Sequence, residues 1–572
     1  MKNTFTKLFC LVSLLISQSV LSQTPTFNWA HEFWNDFNVK STDVDANGNY
    51  YLAFNIGDGW GNSTNMDPNG SAYVNVISGQ WSSVLAKYDS NGGFVWMKNF
   101  THQSANSFPG VEIKSITLSP SNEIYLTGVF LGTFDFDLGP NTFTLSSPSV
   151  YNAFVLKLDN NGDFVWAKAL STTNSTDANQ ITLDSNNDII VSGTFSGTQD
   201  LDPTAGTTTL TSQGAQDVYV IKLTSAGNFV YAKSFGSSSY DTAGPIVTDM
   251  SNNIYTTGTF YSSVGDFDPN AGTVSLTNNG GTDVFIVKLN SSGNLLYANS
   301  FGASSDDNVK DISIDNSGNI TLCGIVAGTT VDIDPTVNTY TYNIQGGSDS
   351  YVMQLNSTGN VIWVNFLTGT GSENAVTISQ NSTDILVGGD FSGTLDVAGT
   401  NTISVLSNTL TAPYSDGFIM RFNTSGQYGW SNKYNSDAQL LLQHLNIMSS
   451  GEIYTSGVFY GNADFDFSAT TNTLTSIAGF LFISKYNGSL PTSIQQLNRD
   501  SQFSIFPNPC AGEFTIQSRK PDVVNIINDL GQIVKTLELN QVNNFTCHVN
   551  DIENGIYFLS GNSIKQKVIV TK

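Results

Sequence analysis

The chain has 572 residues, with 22 Lys and Arg against 47 Asp and Glu, a formal net charge of -25. So acidic a body repels phosphate backbones, which argues against nucleic acid as a partner. Hydrophobic residues make up 39%, enough for a core and against wholesale disorder, whereas charged residues reach only 12%, so the surface is largely neutral and polar.

Residues 1–22 read as a signal peptide. Lys2 and Lys7 precede an apolar stretch from Leu8 to Ile16, and Val20 and Ser22 stand before the expected cut. The stretch is shorter than the roughly 20 residues a bilayer span needs, and nothing later is long enough, so no transmembrane segment is expected. Cys10 sits inside the apolar stretch and reads as ordinary signal sequence. Removing residues 1–22 takes away two Lys and no acid, moving the charge from -25 to -27. The remaining cysteines are Cys323, Cys510 and Cys547. Cys510 and Cys547 fall in one C-terminal domain and could pair, although spacing alone does not join them.

From residue 23 to 490 a repeat governs the chain. The segment Lys87-Tyr-Asp-Ser-Asn-Gly-Gly-Phe-Val-Trp96 returns from Lys157, Lys222, Lys288, Gln354, Arg421 and Lys485, at separations of 70, 65, 66, 66, 67 and 64 residues. Short apolar and β-branched runs broken by Asn-Gly, Ser-Gly and Asp-x-x-Gly predict strands joined by tight turns, with no helical period. Each unit holds four strands, and seven such units predict an all-β, seven-bladed β-propeller; a linear β-solenoid is the alternative. The seventh unit lacks its last strand, and Phe27-Asn-Trp29-Ala-His31 has the missing pattern. An N-terminal strand is therefore expected to close the ring and remove an open edge. It also completes a series of aromatics, Trp29, Trp96, Trp166, Tyr231, Tyr297, Trp363 and Trp430, better read as packing between units than as a sugar-stacking platform.

The candidate site residues are acidic. Pairs two residues apart occur as Asp135/Asp137, Asp200/Asp202, Asp266/Asp268, Asp332/Asp334 and Asp464/Asp466, with Asn65/Asp67 weaker and Asp396 alone in the sixth unit. Oxygen-rich positions suit calcium, the one cofactor considered, but Asp also caps turns, and turn chemistry is the favoured reading. Asp43, Asp45 and Asn47, followed by Gly48, have the first half of a calcium loop, yet its twelfth position is Phe54 rather than Glu. The histidines lack metal-ligand spacing, and no hydrolase elbow or phosphate loop is present, so no catalytic residue is assigned. Trp60, in a departure from the repeat, is a possible contact residue.

Asp266-Phe-Asp-Pro269, Asp283-Val-Phe-Ile-Val-Lys-Leu289, the Asp-x-x-Gly-Asn-Ile-Tyr-like turns and the Gly-x-Phe strand resemble the SBBP-type propeller repeats of secreted bacterial proteins. Beyond a polar linker at 491–502, the end of the chain alternates short strands with Gly and Asn turns, as a small β-sandwich would. Phe503-Ser-Ile-Phe506-Pro507-Asn508-Pro509, Val524 to Gly531, Asn554-Gly555-Ile556-Tyr557 and the terminal Gln566 to Lys572 resemble the type A sorting domain of the type IX secretion system of Bacteroidetes. The resemblance implies export through the periplasm to the outer surface or medium, with the secretion machinery as partner of residues 503–572. Gly531 and Gly555 are expected to be turn glycines. The function expected is a non-enzymatic scaffold whose loops bind an extracellular glycan or protein. The alternatives are a secreted hydrolase or lyase acting on polysaccharide, and a purely structural envelope protein.

Overall fold

In the computed structural model the described residues are 25–34, 37–56, 64–74, 82–101, 110–170, 174–397, 406–408, 410 and 414–488 of a first compact unit. In a second unit they are 503–506, 513–518, 522–528, 532–540, 543, 545–550, 552, 555–560 and 565–570. The segment expected to be a signal peptide, 1–22, the expected linker, 491–502, and Trp60 lie outside them.

The first unit is a seven-bladed propeller of antiparallel four-stranded sheets. Blade 1 is built from Phe37–Val44, Tyr50–Ile56, Ser82–Tyr88 and Phe94–Thr101, paired in that order from the axis outward. The innermost strands of the other blades are Val111–Leu118, Thr176–Leu183, Asp241–Thr248, Asn308–Ile314, Glu373–Gln380 and Leu440–Ile447, and each packs beside the next until the seventh meets the first. The ring closes as the N-terminal pattern implies. Thr26–Trp34 pairs with Thr473–Asn487 from Thr26 opposite Asn487 to Trp34 opposite Phe480, and becomes the outermost strand of blade 7. Closure in this way covers the third strand of the last blade, which would otherwise be its open edge.

Second and third strands are buried along almost their whole length, as in Ile189–Phe195 and Asp217–Leu223, because both faces of each blade are covered by its neighbours. Innermost strands share a β-bulge at a common position, at Val39/Ser41, Ile113/Ser115, Ala178/Gln180, Ala243/Ile246, Val309/Asp311, Ala375/Thr377 and Leu442/His444. A bulge sharpens strand twist where the blades crowd the axis. It also leaves the following side chain free to bond the next blade. Ser41 accepts from the N–H of Ile116, Asp311 from Ile378 and Thr377 from Leu445.

The aromatic series packs the blades together. A Cβ on Gly92, Gly162, Gly227, Gly293, Gly359 or Gly426 would stand 2.4–3.1 Å from a ring atom of Trp29, Trp96, Trp166, Tyr231, Tyr297 or Trp363 of the preceding blade. These glycines close the turn between third and fourth strands with φ between 75° and 85°, so both the turn and the neighbouring ring require them.

The second unit has two sheets. One pairs Phe503–Phe506, Phe514–Ser518 and Thr546–Val549; the other pairs Ile533–Leu539, Asp522–Asn528, Gly555–Ser560 and Lys565–Val570. Phe514, Ile516, Val524, Ile526, Tyr557 and Leu559 form its core. Gly555 opens a strand opposite Val570 and lacks the left-handed φ of a turn glycine, which corrects the expectation for it. Cys547 is a free thiol, and Cys510, the partner considered for it, lies outside the described residues.

Candidate functional site

Strand direction gives the propeller two unlike faces. Turns between first and second strands, and between third and fourth, emerge at one end, and the two long connections of every blade emerge at the other.

The tight-turn face is chemically closed. Asp45 accepts from the N–H groups of Asn47 and Asn49, and Asp89, Asp159, Asp184, Asp249 and Asp315 cap equivalent turns. Asp43 bonds across to the next blade rather than closing this turn. It accepts from Leu118 N–H at 2.9 Å, and burial pushes its carboxyl up to about 6. Asp43, Asp45 and Asn47 therefore do not converge as a calcium loop. The repeated Lys of the third strand is anchored below these turns. Lys222, almost buried, lies 2.7 Å from Asp184 and 3.2 Å from Asp188, and Lys288 and Lys485 reach carbonyls of the next blade at Ser357 and Ser90.

The paired carboxylates lie on the outer rim. Each pair belongs to a short hairpin inserted between second and third strands, such as Val264–Asp266 with Ser275–Thr277, which joins the edge of the preceding blade at Gly236 and Ser237. The residue between the two acids is driven inward: Phe136, Leu201, Phe267, Ile333 and Phe465 are all fully buried. The first acid closes the hairpin. Asp135 accepts from Asp137 and Phe143, Asp200 from Asp202 and Thr208, Asp266 from Asp268 and Val274, Asp332 from Asp334 and Tyr340, and Asp464 from Asp466 and Asn472. The second acid caps the tip, as Asp268 does for Asn270 and Asp202 for Thr204. Among the described residues no three Asp, Glu, His or Cys side chains converge as a metal cage.

The connection face holds what sequence reasoning missed. An acid opening a third strand is buried beside an acid 24 residues later that opens the next blade: Asp217 with Asp241, Asp283 with Asp307, and Asp349 with Glu373. Burial raises all six. Asp241 and Asp283 reach about 6, and Asp307 and Glu373 about 7, with the neighbouring carboxylate adding to the rise in Asp241, Asp307 and Glu373. The recurring 24-residue spacing was the available signal. Exposed aromatic side chains stand at the same ends of the strands: Tyr240 beside Asp241, Tyr261 just past Ile254–Phe260, Tyr414 ahead of Asp416–Asn423, and Trp34 and Tyr460 on blade 7. Tyr240 and Tyr261 are adjacent, the N–H of Tyr261 donating to the Tyr240 carbonyl at 3.2 Å. Around the axis, Lys40 pairs with Glu112 at 2.9 Å and Lys114 with Asp177 at 2.6 Å, while Lys310 is exposed.

In the second unit Tyr557 is buried beside Gly555. Pro507, Asn508, Pro509 and Gly531 lie outside the described residues.

Residues 504–572 match the family described as the secretion system C-terminal sorting domain. Such a domain implies export through the type IX secretion system to the cell surface or beyond, and no helix among the described residues is long and apolar enough to cross a membrane. Over 224 residues, 35% of its length, the chain is 25% identical to an uncharacterized WD repeat-containing protein, L264, of Acanthamoeba polyphaga mimivirus, and it spans only 16% of that relative. Among solved structures, the polysaccharide lyase Uly1 is similar at 10% identity over 78% of this chain and 89% of that one, with a TM-score of 0.37. A protein of unknown function from Bacteroides caccae is similar at 9% identity over 58% and 82%, with a TM-score of 0.28. Likeness at these levels carries no ligand or chemistry across.

Proposed function

We propose that the protein is an exported, non-enzymatic propeller scaffold of the SBBP-repeat kind whose connection face binds an extracellular glycan or protein. The observation that carries this reading is the asymmetry of the faces. One is closed by capped turns, while the other presents Trp34, Tyr240, Tyr261, Tyr414 and Tyr460 to solvent. Exposed rings with polar tips supply flat apolar contact area, and on a chain of net charge -25 they suit a neutral partner better than a polyanion. Fold alone does not exclude chemistry, so the test pairs binding with turnover. The secreted protein is screened on neutral glycans and matrix proteins, and Tyr240→Ala with Tyr261→Ala is expected to lose binding by tenfold or more without a change in melting. Turnover of a polysaccharide, lost on replacing an Asp of this face, would replace the scaffold by an enzyme.

A further inference from the structure

The dicarboxylate junctions form a graded series. Between blades 3 and 4 all four oxygens of Asp217 and Asp241 accept hydrogen bonds, from Gln213, Gly214 and the N–H and hydroxyl of Ser237. Between blades 4 and 5, Asp307 is held by the N–H groups of Ala303 and Ala327, but Oδ1 of Asp283 has no partner. Between blades 5 and 6, Oδ1 of Asp349 and Oε1 of Glu373 both lack one, on residues only 1% and 3% exposed. Between blades 6 and 7 the second acid is absent, Leu440 opening the blade, and Lys433 reaches the remaining Asp416 at 3.0 Å. The residues aligned with Lys433 at the other three junctions, Ser234, Ser300 and Phe366, carry no charge.

Two buried carboxylates with free oxygens and no lysine form a site that attracts a cation, because an unpaired buried charge is costly. At the junction of blades 5 and 6 the neighbouring donor is also oxygen. The position a Cβ would take on Gly369 lies 2.5 Å from Oε1 of Glu373 and 1.7 Å from the Thr394 carbonyl oxygen, so the two oxygens are neighbours. Tyr342 hydroxyl and Gln345 N–H both occupy Oδ2 of Asp349, leaving Oδ1 as its open oxygen.

We propose that the junction of blades 5 and 6 binds one calcium ion through Asp349 Oδ1 and Glu373 Oε1, with backbone carbonyls and water completing the shell. An all-oxygen set with two carboxylates selects a hard, flexibly coordinated cation over a transition metal. The site is separate from the rim pairs, whose first acids are committed to hairpin N–H groups.

The test uses the secreted full chain at pH 8, titrated with calcium chloride by calorimetry and melted in calcium or chelator. One ion per chain is expected, with a melting temperature about 2–4 °C higher in calcium. Glu373→Gln and Asp349→Asn should each abolish uptake and the calcium increment, whereas Asp266→Asn should keep both. Because the amide keeps the side chain's shape and removes its charge, Glu373→Gln should melt in chelator no lower than the parent. Absence of uptake by the parent, parental uptake in both junction variants, or uptake lost only in Asp266→Asn would overturn the assignment.

Discussion

The two faces of the propeller solve the same burial problem differently. On the tight-turn face the elements of the repeat pack against defined neighbours. Aromatic ring meets turn glycine, Lys222 meets Asp184, and Asp45 meets its own backbone. On the connection face acid meets acid at three junctions, and large rings stand in solvent. One end of each blade is therefore specified for packing, while the other carries groups that packing alone does not explain.

The largest effect should follow from breaking the frame both faces share. Deleting Thr26–Trp34 exposes the third strand of blade 7 along its length, and the expected outcome is loss of the cooperative transition with aggregation, read by calorimetry and light scattering. A monomer with the parental melt would contradict ring closure.

Next, the packing face should be intolerant of a single methyl group. Gly426 has φ of 75°, and its Cβ would stand 2.4 Å from Trp363, so Gly426→Ala should cost about 2–4 kcal/mol in denaturant unfolding. A loss below about 1 kcal/mol would mean the turn and ring separate freely.

The connection face should instead be sensitive to pH. Asp283 at about 6, and Asp307 and Glu373 at about 7, lie above their ordinary carboxyl values. The folded protein therefore holds these protons more tightly than the unfolded chain. Their contribution is complete at acid pH and is lost as pH rises through 6 to 7. In chelator, the melting midpoint should be lower at pH 8 than at pH 5.5, and Asp307→Asn should flatten the difference. A higher midpoint at pH 8 would show that other groups dominate.

The rim should respond least. Asp266→Ala leaves the N–H groups of Asp268 and Val274 without their acceptor at an exposed hairpin, for an expected cost of about 1 kcal/mol by the same unfolding assay. A cost of several kcal/mol would give these pairs a larger role than turn closure.

Much of the fold was legible because packing between blades repeats in sequence as it does in space. Trp96 and Gly162 recur at the period of the blade, and Phe27-Asn-Trp29 reads as the missing strand because it must meet the same neighbours. The hairpins were less legible. Asp266-Phe-Asp268 reads as a pair of carboxylates, whereas its buried member is Phe267, and only pairing with Gly236 of the preceding blade reveals that. Gly555 was misread because Asn-Gly is a turn signal wherever it occurs, and here the strand begins at the glycine itself.

By itself the sequence determined the number of blades, the strands, the capped turns and the closing segment, since each depends on residues close in the chain or equivalent between repeats. The tertiary structure decided which carboxylates lose water. Asp349 and Glu373 are ordinary acids 24 residues apart until two blades close over them, and their lack of a counter-charge is a property of the space between the blades. Burial and partnership are set by what other strands bring to that space, and no local pattern records them.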